Sequence, residues 1–202
     1  MDFKALLNTS EYEFLQTNLR LGSRIMLLGV SGSYGYGTNR EGSDIDFRGV
    51  TLNLPSDLIG LTSFDQYEDP NTDTVIYSFN KLINLLLNCN PNTIEILGLD
   101  EDQYVIKTAV GQELLDHSQL FLSKRAAASF GHYADAQLRS IRNGDYMREN
   151  VLTPTFYEIV TDYEQRFHEA EARSILPDNP DMKAVGAFVE NINRRVVTGE
   201  IG

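Results

Sequence analysis

Cysteine occurs once in this chain, at Cys89. One thiol can neither close an intramolecular disulfide nor build a multi-cysteine metal site, and a reducing interior is the simpler reading. Basic residues are scarce as well: 17 Lys and Arg stand against 29 Asp and Glu, a formal net charge of −12. Broad binding to duplex nucleic acid depends on clustered cations that release counterions, so it is not expected here, although a local basic groove stays open. No apolar run reaches membrane-spanning length, and the opening MDFKALLNTSEYEF carries acids and no uninterrupted apolar region. The expectations are no membrane partner and a cytoplasmic location. Internal repeats and low-complexity tracts are also lacking. What is present is an ordinary globular composition, 42% hydrophobic and 23% charged over 202 residues, enough to bury a core as one large domain or one domain with an appended subdomain.

In chain order, Ser10 and Glu13 have capping-box spacing, and Tyr12, Leu15 and Leu19 share a helical face, which predicts a helix of about three turns stopping at Gly22. Arg24 to Val30 is a continuous apolar run suited to a strand buried on both faces. A second strand is expected from Asp44 to Leu52 and a third from Asp73 to Tyr77. Between them lies a long Pro-, Asp-, Asn- and Gly-rich connection holding one short strand or turn. Ser78 can cap a helix with Phe79, Leu82, Ile83, Leu86 and Leu87 along one stripe. A short helix over Asn92 to Leu97 follows, with Asn92 and Glu95 as capping-box partners, then a short strand at Val105–Ile106. Beyond 108–112 helical periodicity takes over. Expected helices run from Ser123 to Asn143, from Thr153–Pro154 past Phe167, and from Asn179–Pro180 through Met182, Val185, Val189, Ile192 and Val196.

The most informative stretch is Leu27 to Val50, LLGVSGSYGYGTNREGSDIDFRGV. A Gly-Ser turn follows one apolar run, and an Asp-x-Asp pair opens another. On a strand, side chains two apart share a face, so Asp44 and Asp46 point the same way, about 7 Å apart along the backbone. Two carboxylates so placed can share divalent cations. The upstream Gly32–Ser33 turn offers backbone N–H groups of the kind a phosphate chain needs. Oxygen ligands with no Cys or His nearby suit Mg²⁺ or Mn²⁺ and disfavour zinc. Arg48 falls on the same face, where it can pair with a carboxylate or contact a nucleotide. Lys81, in the first turn of its helix, can reach a phosphate or simply be solvated.

The apolar residue, Gly-Ser, ten-residue gap and Asp-apolar-Asp-apolar pattern resembles the signature of the DNA polymerase β-like nucleotidyltransferase superfamily. SGSYGYG, SDIDFRGV, the Asp73 strand and NPNTIEIL together resemble predicted nucleotidyltransferases of the YcgL/RlaP type, most closely over residues 25–100. The resemblance implies an α+β fold: a polymerase β-like core of short mixed β-sheet with flanking helices over residues 1–110, then a C-terminal helical subdomain over 111–202. It implies that Gly32 and Ser33 hold the β,γ-phosphates of an NTP, with ATP the expected co-substrate. Asp44 and Asp46 would bind Mg²⁺ or Mn²⁺. A third carboxylate on the neighbouring strand would share a metal and help deprotonate the acceptor; Asp73 is the matching candidate and Glu95 the alternative.

The activity so implied is transfer of an NMP group from an NTP to an acceptor hydroxyl with release of pyrophosphate. The acceptor is open among a small molecule, a protein side chain and an RNA end. Two other readings stand beside it: a nucleotide- or metal-binding regulatory module without turnover, and an antitoxin-like nucleotidyltransferase acting on a protein or tRNA partner. Other motifs fall away. Gly32, Gly35 and Gly37 resemble a dinucleotide fingerprint, but the second strand arrives too soon for a crossover helix. His168–Glu169 lacks the second His of a zinc-protease motif, and His117 and His132 have no evident partners. Asp100–Glu101–Asp102 lacks calcium-loop spacing. Arg139, Arg142, Arg148, Arg194 and Arg195 fit solvated helix faces better than an acceptor groove.

Overall fold

The structure is a computed structural model that describes residues 2–35, 37, 39–129, 131–132 and 176–202. Five strands form one mixed sheet in the order β3-β4-β2-β1-β5: β1 (Ile25–Ser31), β2 (Asp46–Thr51), β3 (Gln66–Asp69), β4 (Thr74–Ser78) and β5 (Tyr104–Lys107), with the short helices α1 (Phe3–Leu6), α2 (Phe14–Thr17), α3 (Gly32–Gly35) and α4 (Pro55–Leu58) before and between the first three strands. The centre of the sheet pairs β1 antiparallel to β2 and β2 parallel to β4. Every residue of β1 is buried, because apolar layers cover both faces. On one side Leu28, Val30, Phe47 and Ile76 meet Tyr12, Leu15 and Leu21 from the N-terminal segment. On the other, Met26, Leu27 and Val50 meet α5 (Phe79–Leu87), α6 (Pro91–Ile96) and the C-terminal helix Met182–Val197. This double burial accounts for the unbroken apolar run that marks β1 in the sequence.

The Ser78 cap forms as expected, its hydroxyl oxygen accepting from the Lys81 N–H. Two expected caps do not form. Asn90 rather than Asn92 caps α6, accepting from the Asn92 N–H with Pro91 at the first helical position, which leaves Glu95 for another partner. The three-turn helix expected from Ser10 is instead a 3₁₀ turn, Ser10–Tyr12, and a single helical turn, Phe14–Thr17. Tyr12 and Phe14 both dock on the sheet, against Phe47 and Tyr67 respectively. A continuous helix would splay side chains only two apart to different faces. Leu19 is left 89% exposed.

Beyond residue 108, α7 (Ala109–Asp116) and the C-terminal helix join the same apolar cluster as β1 and α5. The ring of Phe188 sits edge-on to Phe79 at 6.0 Å and stacks on His117 at 4.4 Å. His117 thus has a packing role, fixed by a 2.7 Å hydrogen bond between Nδ1 and the Glu113 carbonyl. Met182 stays 63% exposed, while Val185, Phe188, Ile192 and Val196 face inward. Arg194 pairs with Glu200 and Arg195 with Glu113, the partners expected of residues on a solvated helix face. The helices expected over Ser123–Asn143 and from Thr153, with Arg139, Arg142 and Arg148, fall wholly or largely outside the described residues. Among those described, no helix is long and apolar enough to cross a membrane.

Phe188→Ala should lower stability by about 3 kcal/mol through loss of a buried aromatic, with one cooperative transition in chemical denaturation. A separate early transition, with the rest of the protein unaffected, would show that the C-terminal helix is not part of this core.

Candidate active site

The site forms where β1 ends and β2 begins. Ser31 and Asp46 are the last register partners of that antiparallel pair. Immediately after Ser31 the chain turns through Gly32, at φ +60°, into the short helix α3 (Gly32–Gly35). A Cβ on Gly32 would lie 1.8 Å from Asp46 Oδ2. The left-handed backbone strains any side chain there, and this contact would make it push the Asp46 carboxylate aside. The Gly-Ser motif and the aspartate motif, separate in sequence, are therefore one packed unit. Gln103 holds the unit from behind, its Nε2 donating to the Gly35 carbonyl at 2.7 Å, and Phe3 packs edge-on against Tyr34.

Across the parallel β2–β4 register, Phe47 faces Thr74, which places Asp73 beside Asp46. Asp73 has φ +43° and closes the β3–β4 hairpin. Three contacts fix it: its carbonyl accepts from the Phe47 N–H at 3.2 Å and from Arg48 Nη1 at 2.5 Å, and its carboxylate accepts from Arg48 Nη2 at 3.1 Å. The same Nη2 lies 3.9 Å from Asp46 Oδ1. Burial, reinforced by the hydrogen bond and negative charge of Asp73, pushes the Asp46 carboxyl up to about 6. The hydrogen bond from Asp46, helped by Arg48, holds Asp73 below the usual carboxylate range. Two carboxyls sharing a proton in this way are a site short of positive charge.

The other expected residues fall in different places. Asp44 precedes β2 and is exposed, because the register leaves it no partner: β1 has already turned at Gly32 and β4 begins at Thr74. Its charge still raises Asp46. Ser33 lies in α3, next to Gly32. Lys81 is not brought to this group. The Asp pair sits at the start of β4 and Lys81 follows its end, roughly 17 Å away at strand rise, where it pairs with Asp65 at 3.1 Å. Glu95 does reach the site, its Oε1 accepting from the Ser31 hydroxyl at 3.3 Å. Among the described residues, no three His, Cys, Asp or Glu side chains converge as a finished metal cage. An oxygen pair open to solvent nevertheless suits Mg²⁺, which keeps several waters and needs only one or two carboxylates.

Beside the pair is an open cleft of about 530 Å³ between residues 43–45 and 70–73. Tyr12 lines it while only 5% exposed, and its hydroxyl makes no hydrogen bond among the described residues. Burial, then Glu11 and Asp69, raises that phenol. Sequence spacing assigned Tyr12 to the apolar face and carried no signal for its hydroxyl.

The mixed sheet with flanking helices, the glycine turn and the carboxylates beside it define a polymerase β-like nucleotidyltransferase core. The chain belongs to the RlaP family, described as the RNA repair pathway DNA polymerase beta family, whose model matches residues 7–175. No curated protein matches it.

Because Asp46 is raised in the folded state, the metal-free fold binds more protons than the unfolded chain between the ordinary value of 3.8 and about 6. Stability from this group is present below that window and is lost as pH rises through it. Asp73, shifted downward, acts below the window. Asp46→Asn should therefore make the metal-free protein more stable at neutral pH by roughly 1–2 kcal/mol and flatten the decline in denaturant midpoint between pH 4 and 6. An unchanged slope would show that the carboxyls do not share a proton.

Proposed function

We propose that the protein transfers an NMP group from an NTP, with ATP the expected substrate, to an acceptor hydroxyl, and that Mg²⁺ or Mn²⁺ assists. The observation that carries this reading is the contact of Gly32 with Asp46, with Asp73 alongside. Family membership supports nucleotidyl transfer as the class of reaction. Asp46 and Asp73 would hold the cation, with Asp44 able to swing in from its exposed position. When bound, a divalent ion neutralises charge on the triphosphate and lowers the barrier to attack at the α-phosphorus.

The chain's own residues do the rest. Gly32, bare of a side chain, lets the triphosphate approach the α3 backbone beside Ser33. Arg48 holds Asp73 ionised and aimed. The acceptor oxygen attacks the α-phosphorus, the bond to the β-phosphate breaks, and pyrophosphate leaves. Asp73 accepts the acceptor's proton. The cleft beside it is lined by Tyr12, Ser43, Asp44, Thr72 and Asp73 among others, with no Lys or Arg in its lining. Such a lining fits a hydroxyl-bearing end better than a phosphate. The family description names RNA repair, which favours an RNA end among the possible acceptors.

A regulatory module that binds nucleotide without turnover is the second reading, favoured by the exposed, off-ladder position of Asp44. Incubation with α-labelled ATP, Mg²⁺ and RNA bearing a 3′-hydroxyl distinguishes the two. Labelled RNA and pyrophosphate are expected, and Gly32→Ala or Asp46→Asn should each lower the rate by about 100-fold or more. Tight ATP binding with no pyrophosphate across RNA, protein and small-molecule acceptors would favour the module. Transfer that survives both substitutions would refute the assignment.

A further inference from the structure

At the opposite end of the sheet from the Asp46–Asp73 pair is a second cleft, of about 360 Å³, between the start of α5 and the turn through Ser63 and Asp65. Asn53 lines it while only 4% exposed. The Asn53 carboxamide is oriented without ambiguity, because Oδ1 accepts from the Asn80 backbone N–H at 3.0 Å and that group can only donate. Its Nδ2 makes no hydrogen bond among the described residues and is not sealed from solvent. A buried amide thus presents an unused donor to the cleft. Asn80 lines the same cleft, and its carboxamide also meets that of Asn193 at 3.1 Å. Lys81 stands beside them, at the positive end of the nine-residue helix α5.

The acids in the lining do not oppose an anion equally. Asp57 is neutralised and fully engaged by Arg20, by the Thr62 hydroxyl and by the Leu54 N–H. Asp65, 73% exposed on its side chain, is tied only to Lys81. A solvent-exposed pair of this kind is weak and can give way to a better ligand.

We propose that this cleft is a second oxyanion site, taking a phosphate group, built from Asn53, Asn80 and Lys81 and separate from the Asp46–Asp73 pair. It stands whether or not the protein transfers nucleotides. A phosphate supplies the acceptor oxygens that the amide donors and ammonium call for. The phosphate belongs either to a nucleic-acid backbone or to free phosphate or a mononucleotide.

The test is an NMR titration in Mg²⁺-free buffer, so that the carboxylate site does not contribute. Inorganic phosphate, AMP and a short single-stranded RNA are the probes, and the Asn53 side-chain NH₂ signal is the readout. A saturable shift is expected, weakened about tenfold by Lys81→Ala and tightened severalfold by Asp65→Asn, since the latter removes the competing carboxylate. Both changes are at accessible side chains, so folding should not be at issue. RNA binding well ahead of inorganic phosphate identifies a backbone phosphate; equal affinity identifies free phosphate or a mononucleotide. No saturable shift with any probe, or affinities indifferent to both substitutions, would overturn the proposal.

Discussion

Two carboxyl groups brought side by side where adjacent parallel strands begin set the terms for the rest of this structure. Asp46 and Asp73 repel each other when both are ionised, and the fold answers by holding the Asp46 proton to a higher pH and with Arg48, which grips the Asp73 backbone and carboxylate. Neither answer fully satisfies the pair. A proton is lost as pH rises, and Arg48 lies 3.9 Å from Asp46. An arrangement that costs stability without a cation and relaxes with one is expected of a site selected for binding. The glycine turn belongs to the same constraint, since any side chain at Gly32 would displace the Asp46 carboxylate.

The supports are ordinary packing. β1 and β2 are covered on both faces, so the strand end that carries Asp46 cannot move without disturbing two apolar layers. The C-terminal helix contributes to one of those layers through Phe188 and Ile192. About 160 residues of sequence separation, from Met26 to Phe188, are thus closed by contact with the sheet that bears the site. The N-terminal segment contributes to the other layer, and through Tyr12 it also reaches the cleft beside Asp73.

Much of this was legible in the residues because it is local. The apolar run of β1, the Ser78 cap and the stripe of α5 each express a short-range preference that tertiary packing reinforces. The Gly-Ser and Asp-x-Asp motifs were legible as a pair, although only the register shows that Gly32 touches Asp46 and that Asp44 lies off the ladder. What was not legible depends on long-range contacts. Spacing alone gave Glu95 a cap partner in Asn92, whereas folding carries it to Ser31. Lys81 follows a strand whose direction places it at the far end of the sheet, and strand direction is not encoded in spacing. The helix expected at Ser10 gave way to aromatic docking that no local pattern announced.

The central claim is that the Asp46–Asp73 pair and the Gly32 turn form one cation-and-triphosphate site. A crystal grown with Mn²⁺ and a non-hydrolysable ATP analogue tests it most directly, read by the anomalous signal of the metal. A peak is expected between the Asp46 and Asp73 carboxylates, with the triphosphate against the Gly32–Ser33 backbone. A metal and triphosphate bound anywhere else, with no metal peak at this pair, would contradict it.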